Sequence, residues 1–368
     1  MNDGREELDD LREAVREFLA AKSPETAVRA AMETGHDPAV WDQMARQLQL
    51  PGLALPADYG GDGFGLTELE VVLEEMGAAL LCSPFFGTVV LAAQALLAAN
   101  DKAACERYLP GIAAGETIAT LAVAESSGSW DPAAIATRAE RIADGWALTG
   151  GKSFVVDGSI AGLVLVVAQA PAGPALFAVD GGAPGLRAEP MTALDPTRPL
   201  AALTFDRVPA ELIGAEGEGG RLLSQVLDVA CVALAAEQAG GARRCLEMSA
   251  EYARTRFQFG RAIGTFQAIK HKCADMLARV ELAEAAAREA ARLADEAAAE
   301  FPVAAATAHI CSSRAYMFAA AENIQVHGGI GFTWEHPAHL YFRRAKSSEL
   351  LFGGPAVYHE RLLARLGI

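Results

Sequence analysis

At 368 residues the chain is long enough for two or three domains, or for one large core. With 52% hydrophobic and 21% charged residues it has the composition of a globular protein, not a disordered one. A net charge of −16 excludes a general nucleic-acid binder, because too little positive charge remains to neutralise a phosphate backbone.

The start, "MNDGREELDD", is acidic rather than signal-like, and no run approaches ~18 uninterrupted apolar residues, so a cytoplasmic protein without a membrane partner is expected. Residues 1–117 read as a helical domain. "ELDDLREAVREFLA" and "TELEVVLEEMGAALL" carry apolar residues at i, i+3, i+4 and i+7, and the Pro/Gly loop "LPADYGGDGFG" separates them. Residues 118–216 change texture. Short β-prone runs ("TIATLAVAE", "GWALTGGKSFVV", "LVLVVAQ", "ALFAVD", "LAALTFDRV") alternate with turns, and Asp144-Gly145 and Gly150-Gly151 are hairpin signals. A compact antiparallel β domain is predicted. Residues 217–368 return to long helices with tight connections, as in a bundle of about four helices. The six cysteines and seven histidines show neither CxxC nor HExxH spacing, so the thiols read as buried and reduced, and no metal is expected.

Two turns in the bundle resist a purely structural explanation. "RTRFQFGRAIGTFQ", Arg254 to Gln267, places arginines at i and i+2, which cannot share one helical face. Phenylalanines and glycines then interrupt an Ala/Leu/Glu-rich region. The stretch is either a helix elbow with solvated arginines or a clamp in which a guanidinium grips phosphate and Phe259 packs on a ring. "QVHGGIGFTWEHPAHLYFRR", Gln325 to Arg344, ends a helix at Gly328-Gly329, where a C-cap explains one glycine but not the second.

These two stretches resemble the C-terminal signatures of the acyl-CoA dehydrogenase family. "LALPADYGGDGFGLTELEVVLEEMG" is similar to that family's N-terminal loop and helix, and "GETIATLAVAE" with "GWALTGGKSFVVDG" to the start of its β domain. The motifs are collinear over essentially the whole chain. The resemblance implies an N-terminal α-helical domain, a middle β domain and a C-terminal four-helix bundle. It also implies FAD, an acyl-CoA substrate oxidised to the 2,3-enoyl-CoA, and electron-transfer flavoprotein as the acceptor. In the family, the ADP half of each FAD is gripped by the neighbouring subunit's bundle. On the matching positions that role falls to Arg256, Phe259, Gln267, Gln325, Gly328 and Gly329.

The other half of the site departs from the family. Ala124 stands before Glu125 where a Ser or Thr is usual, and "SSGSWD" brings Trp130 toward the pyrophosphate. The family's Trp-x-Thr at the flavin is replaced by Phe154 and Val156, and valine offers no hydrogen bond. The two usual positions of the catalytic glutamate hold Phe352 (in "LLFGGPA") and Ala230, and Cys231 replaces a neighbouring arginine. Glu237 lies about 10 Å beyond Ala230 on roughly the same face and is a weak relocated-base candidate. Its structural alternative is an ion pair with Arg243, Arg244 or a neighbour. Glu349 and Asp228 are weaker still.

Clamp residues kept and base residues lost is the pattern expected of a helper subunit. Such a subunit completes its partner's FAD site in an α2β2 heteromer acting on bulky CoA thioesters such as steroid side chains. The alternatives are a self-sufficient homotetramer with a relocated carboxylate, and a flavin-free structural subunit.

Overall fold

The computed structural model describes residues 3–368; Met1 and Asn2 of the acidic start lie outside them. The chain divides into two compact units. Among the described residues, one holds residues 3–30, 66–81 and 231–368, the other residues 31–65 and 82–230.

The first unit is helical. It contains α1 (Asp3–Lys22), α4 (Leu66–Ala78), most of α7 (Gly219–Thr255), α8 (Gln267–Asp295), α9 (Phe301–His327), α10 (Ala338–Leu350) and α11 (Pro355–Arg365). The long helices lie where the periodicity places them. Alanine dominates the seams, with Ala239, Ala283 and Ala315 buried together, so the backbones approach closely. The tightest approach is between α4 and α7. A Cβ on Gly77 would stand 1.9 Å from the Glu237 carbonyl oxygen, and one on Gly240 would stand 1.8 Å from that of Glu74. Only glycine permits that crossing. Asp295, the last residue of α8, accepts hydrogen bonds from the Leu66 and Thr67 N–H groups at 2.6 and 2.9 Å and so caps α4.

Three buried glutamates of α4, Glu70, Glu74 and Glu75, form the polar part of this core. Arg12 and Arg16 from α1 and Arg243 from α7 converge on Glu74 and Glu75. Burial and the neighbouring Glu74 push the Glu70 carboxyl up to about 8. Glu70 is therefore neutral at pH 7 while its neighbours carry the ion pairs.

The second unit has α3 (Pro38–Leu48), a π-helical turn (Phe86–Ala92) continuing into α5 (Ala93–Ala99), and α6 (Lys102–Ala113). α2 (Glu25–Thr34) starts in the first unit and ends in the second. The β layer comprises β1 (Ala119–Ala122), β2 (Arg138–Ile142), β3 (Gly145–Val156), β4 (Leu163–Ala170), β5 (Gly173–Asp180), β6 (Leu186–Pro190) and β7 (Leu200–Ile213). Pairings β4–β2–β3–β7–β5 and back to β4 close these five strands on themselves, with β1 and β6 attached at the sides. Closure encloses a core in which Trp146 meets Phe177 edge-on at 5.3 Å.

Two details differ from the sequence expectation. The sheet is not wholly antiparallel, because β1 runs parallel to β4, a pairing the long excursion through β2 and β3 makes possible. Gly145 closes the β2–β3 hairpin as expected, but Gly150-Gly151 is no hairpin. It is a bulge inside β3, where a Cβ on Gly150 would meet the Thr137 Cα at 2.8 Å.

Candidate functional site

The stretch from Arg254 is neither a plain elbow nor a continued helix. α7 ends at Thr255, and a β-hairpin follows, with β8 (Phe257–Gln258) paired to β9 (Arg261–Ala262). Its two turn residues, Phe259 and Gly260, have φ of +54° and +77°, the signs of a type I′ turn. Phenylalanine rarely accepts that conformation, yet Phe259 holds it with its ring 92% exposed. The hairpin foot is fixed by hydrogen bonds. The Arg256 N–H donates to Tyr252 O, and the Ile263 N–H donates to Arg256 O, both at 2.8 Å. Arg261 lies over the Phe266 ring at 4.1 Å, and Phe259 meets that ring edge-on.

Arg256 is exposed, and among the described residues no carboxylate pairs with it. Gln267 opens α8, whose N-cap Phe266 offers no side-chain acceptor, so first-turn N–H groups are left for another partner. Gln325 is exposed on the last turn of α9. Gly328 adopts φ 67° and ψ −142°, a conformation essentially reserved for glycine. Gly329 has no such constraint, and a Cβ on it would meet nothing within 4 Å. Nothing within the chain requires glycine there, whereas a group approaching from outside would. The exposed side chains of Phe332 and Trp334 follow directly.

The structure therefore brings a free guanidinium, uncapped helix N–H groups and an open double-glycine turn to the surface of the helical unit. This donor set fits a phosphorylated ligand with a flat ring, as the ADP half of FAD is.

The residues on the catalytic side behave differently. Ala230 and Cys231 are fully buried, and the Cys231 thiol lies 2.9 Å from the Tyr358 hydroxyl in the packed core. Phe352 is 1% exposed and held at φ +66°. Glu237 is not a free base. Its Oε1 accepts from Arg344 Nη1 at 2.7 Å, with side-chain exposures of 7% and 4%, and Arg344 also donates to the Leu81 carbonyl. The partner is Arg344, not Arg243 or Arg244. Arg243 is drawn to Glu74 and Glu75 across α4, and Arg244 pairs with Glu247 one turn on. Glu349 is tied to Lys346 at 2.5 Å, and Asp228 is buried and engaged.

In the β unit, Glu125 braces the loop that follows it. It accepts from the Ala136 and Thr137 N–H groups and pairs with Lys152 at 2.9 Å. Burial lowers the Lys152 ammonium to about 8 despite that pairing. Trp130, expected to lie toward the pyrophosphate, is buried. Val156 is buried, and Phe154 is half-exposed at φ +59° beside Gly128. A valine side chain presents nothing that hydrogen-bonds to a flavin ring, so this position does not fit the isoalloxazine.

A feature the sequence did not disclose lies behind the clamp. A cavity of about 710 Å³ is lined by residues of α1, α2, α4, α7, α9, α10 and the segment before α10. On its wall Tyr252 stacks on His327 and His336 meets His327 at a tilt, each pair with ring centroids 4.3 Å apart. The pattern "QVHGGIGFTWEHP" contains both histidines, but nothing local signals that they meet.

Comparison with known proteins is consistent along the chain. Residues 5–116, 120–208 and 217–367 match the models for the N-terminal, middle and C-terminal domains of acyl-CoA dehydrogenases. The acyl-CoA dehydrogenase IpdE2 of Mycobacterium tuberculosis is 38% identical over 359 residues, 97% of this chain and 96% of the relative. Among solved structures, a variant of the Tcur3481–Tcur3483 steroid ACAD has a TM-score of 0.89 at 34% identity, over 98% of each chain. The ChsE4–ChsE5 complex from Mycobacterium tuberculosis has a TM-score of 0.88 at 28% identity, covering 98% of this chain and 97% of that one.

Proposed function

Because the chain belongs to the acyl-CoA dehydrogenase family of oxidoreductases, we propose that it is the FAD-clamping subunit of a heteromeric acyl-CoA dehydrogenase. Its partner would be a homologous subunit in an α2β2 assembly. Bound FAD supplies the hydride acceptor for oxidation of an acyl-CoA to its 2,3-enoyl-CoA, and electron-transfer flavoprotein would take the electrons onward. This chain's contribution is binding and orientation. Arg256 would meet the diphosphate with a bidentate guanidinium, with Gln267 and the α8 N-terminus beside it. Gln325, Gly328 and Gly329 would let the nucleotide approach the backbone, and Phe259 would cover its ring.

The observation that carries the reading is the asymmetry between the two halves. The clamp is exposed and unpaired, whereas the base positions are filled by buried Phe352 and Ala230, and Glu237 is held by Arg344. No described carboxylate at those positions is free to remove a proton from the α-carbon. The names of two structural neighbours, a steroid ACAD and a two-protein complex, support a bulky steroid-type acyl group and a hetero-oligomer. We place the assembly in the cytoplasm. α7 is long and apolar enough to cross a membrane, but 83% of its apolar window is buried inside the protein.

The test is to purify the chain alone and record its visible spectrum and its turnover of acyl-CoA thioesters. Colourless protein that becomes yellow and active only with a second family subunit supports the reading. Full flavin occupancy with turnover by the chain alone overturns it.

A further inference from the structure

The two halves of the clamp are far apart in sequence, and their alignment needs a mechanical explanation. The hairpin half hangs from the end of α7, where Arg256 is bonded back to Tyr252. The glycine half begins immediately after His327, and its turn folds down onto that residue, since a Cβ on Gly331 would meet the His327 Cβ at 2.9 Å. Tyr252 and His327 are stacked, with ring centroids 4.3 Å apart at 29°. His336, from the segment leading into α10, also meets His327, with ring centroids 4.3 Å apart at a tilt of 44°. Each ring therefore belongs to a different segment of the site, and the column is where the segments touch.

Resting on the clamp reading above, we infer that Tyr252, His327 and His336 are positioning residues that set the register of the clamp's two halves, and do so only while at least one of the two imidazoles is neutral.

The hydrogen bonds assign the tautomers. His327 Nδ1 lies 2.8 Å from the Asn323 carbonyl and so carries the proton. His336 Nδ1 accepts from the Ala338 N–H at 3.2 Å, so its proton sits on Nε2. The His336 bond requires the neutral ring, whereas the His327 bond persists in either protonation state. Burial lowers the tendency of each to protonate, and for His336 the neighbouring His327 lowers it further. A first proton is tolerated, but a second places two cations with ring centroids only 4.3 Å apart.

The surrounding charges do not remove that conflict. Glu25 favours protonation of His336 while Arg29 opposes it, both from α2, and Arg343 acts on nearby His339. Glu251 and Glu335 line the adjoining cavity with Arg244, which is already paired to Glu247. The cavity gives His336 room to swing away once charged. Acid should therefore separate the glycine turn from the hairpin. The direction is the same as for any histidine whose folded form resists protonation: order is retained at neutral pH and lost as pH falls below the ordinary imidazole range.

Hydrogen exchange of segments 252–263 and 327–336 in the purified assembly, at about pH 7.5 and about pH 5.5, tests this after correction for intrinsic exchange. The expected result is exchange on the order of tenfold faster at the lower pH in the native protein. His336→Phe keeps a ring in the column but cannot take a proton, and should remove the pH step while keeping the protection. Tyr252→Ala should exchange fast at both pH values. A native protein equally protected at both pH values, or a step that survives His336→Phe, overturns the inference. FAD retention by the loaded assembly separates this failure from that of the clamp. If Arg256→Ala releases FAD but no pH step exists, only the column is refuted. If the step is present and Arg256→Ala holds FAD unchanged, the clamp reading fails instead.

Discussion

Replacing one member of the Glu237–Arg344 pair is the perturbation that most directly separates a structural acid from a catalytic one. The two side chains meet at 2.7 Å, exposed by only 7% and 4%. At an effective dielectric of about 20, that separation corresponds to an attraction of about 6 kcal/mol before desolvation. Desolvating both ions offsets most of this gain, so the net worth of the intact pair is small. Removing one partner is another matter, because it leaves the other charge buried without its opposite charge, at a cost of about 3–5 kcal/mol. Unfolding entropy scales as about 2.1 cal/mol/K per residue, which for this chain gives about 0.8 kcal/mol/K. Arg344→Met or Glu237→Gln should therefore each lower Tm by about 4–6 °C in circular-dichroism melts. The double variant, with no stranded charge, should recover at least about 1 kcal/mol relative to the sum of the single effects. Turnover of the assembled enzyme per folded active site should persist in Glu237→Gln. A variant that melts like the native protein but has lost all turnover would show that Glu237 is the base, and the reasoning from its pairing would be wrong.

Three further outcomes are expected. On the proposed clamp, Arg256→Ala in the active assembly would remove one charge-assisted contact to the diphosphate, worth about 1.5–3 kcal/mol, and should weaken FAD binding about ten- to hundredfold in flavin-fluorescence titrations; unchanged affinity would remove Arg256 from the clamp. Gly77→Ala forces a methyl group to within 1.9 Å of the Glu237 carbonyl, so α4 and α7 must separate. A loss of more than about 3 kcal/mol, or failure to accumulate folded protein, is expected, and a native-like melt would disprove the close crossing. Glu70 remains protonated in the folded state up to about 8, whereas an unfolded chain ionises it near 4.5. The folded form thus binds the extra proton in that window, and stability falls as pH rises through it, by up to about 1.4 kcal/mol per unit. Glu70→Gln should flatten that slope in urea titrations across the window, and parallel curves for the two proteins would refute the assignment.

Much of the fold was legible because its signals are local. Helix periodicity in "TELEVVLEEMGAALL" and the hairpin at Asp144-Gly145 depend on neighbours a few residues away, and both appear where they were read. Gly150-Gly151 misled for the same reason, since a double glycine looks alike in a turn and in a bulge until the opposing Thr137 is known. The clamp stretch was legible as an anomaly of composition, but its form was not. Whether Phe259 and Gly260 turn a hairpin or an elbow depends on the backbone pairing of Phe257 with Ala262.

The order of helical and β segments, the family motifs and the absence of carboxylates at Ala230 and Phe352 are properties of residue identity and short spacing, so the chain states them before it folds. What the remaining charges do depends on long-range packing. Glu237 pairs with Arg344, which is 107 residues away, in preference to the arginines on its own helix. Tyr252, His327 and His336 become one column only when α7, α9 and the segment before α10 are brought side by side. A buried charge takes whichever opposite charge packing delivers to it, and a ring stacks on whichever ring shares its cavity, so neither choice is encoded in local spacing.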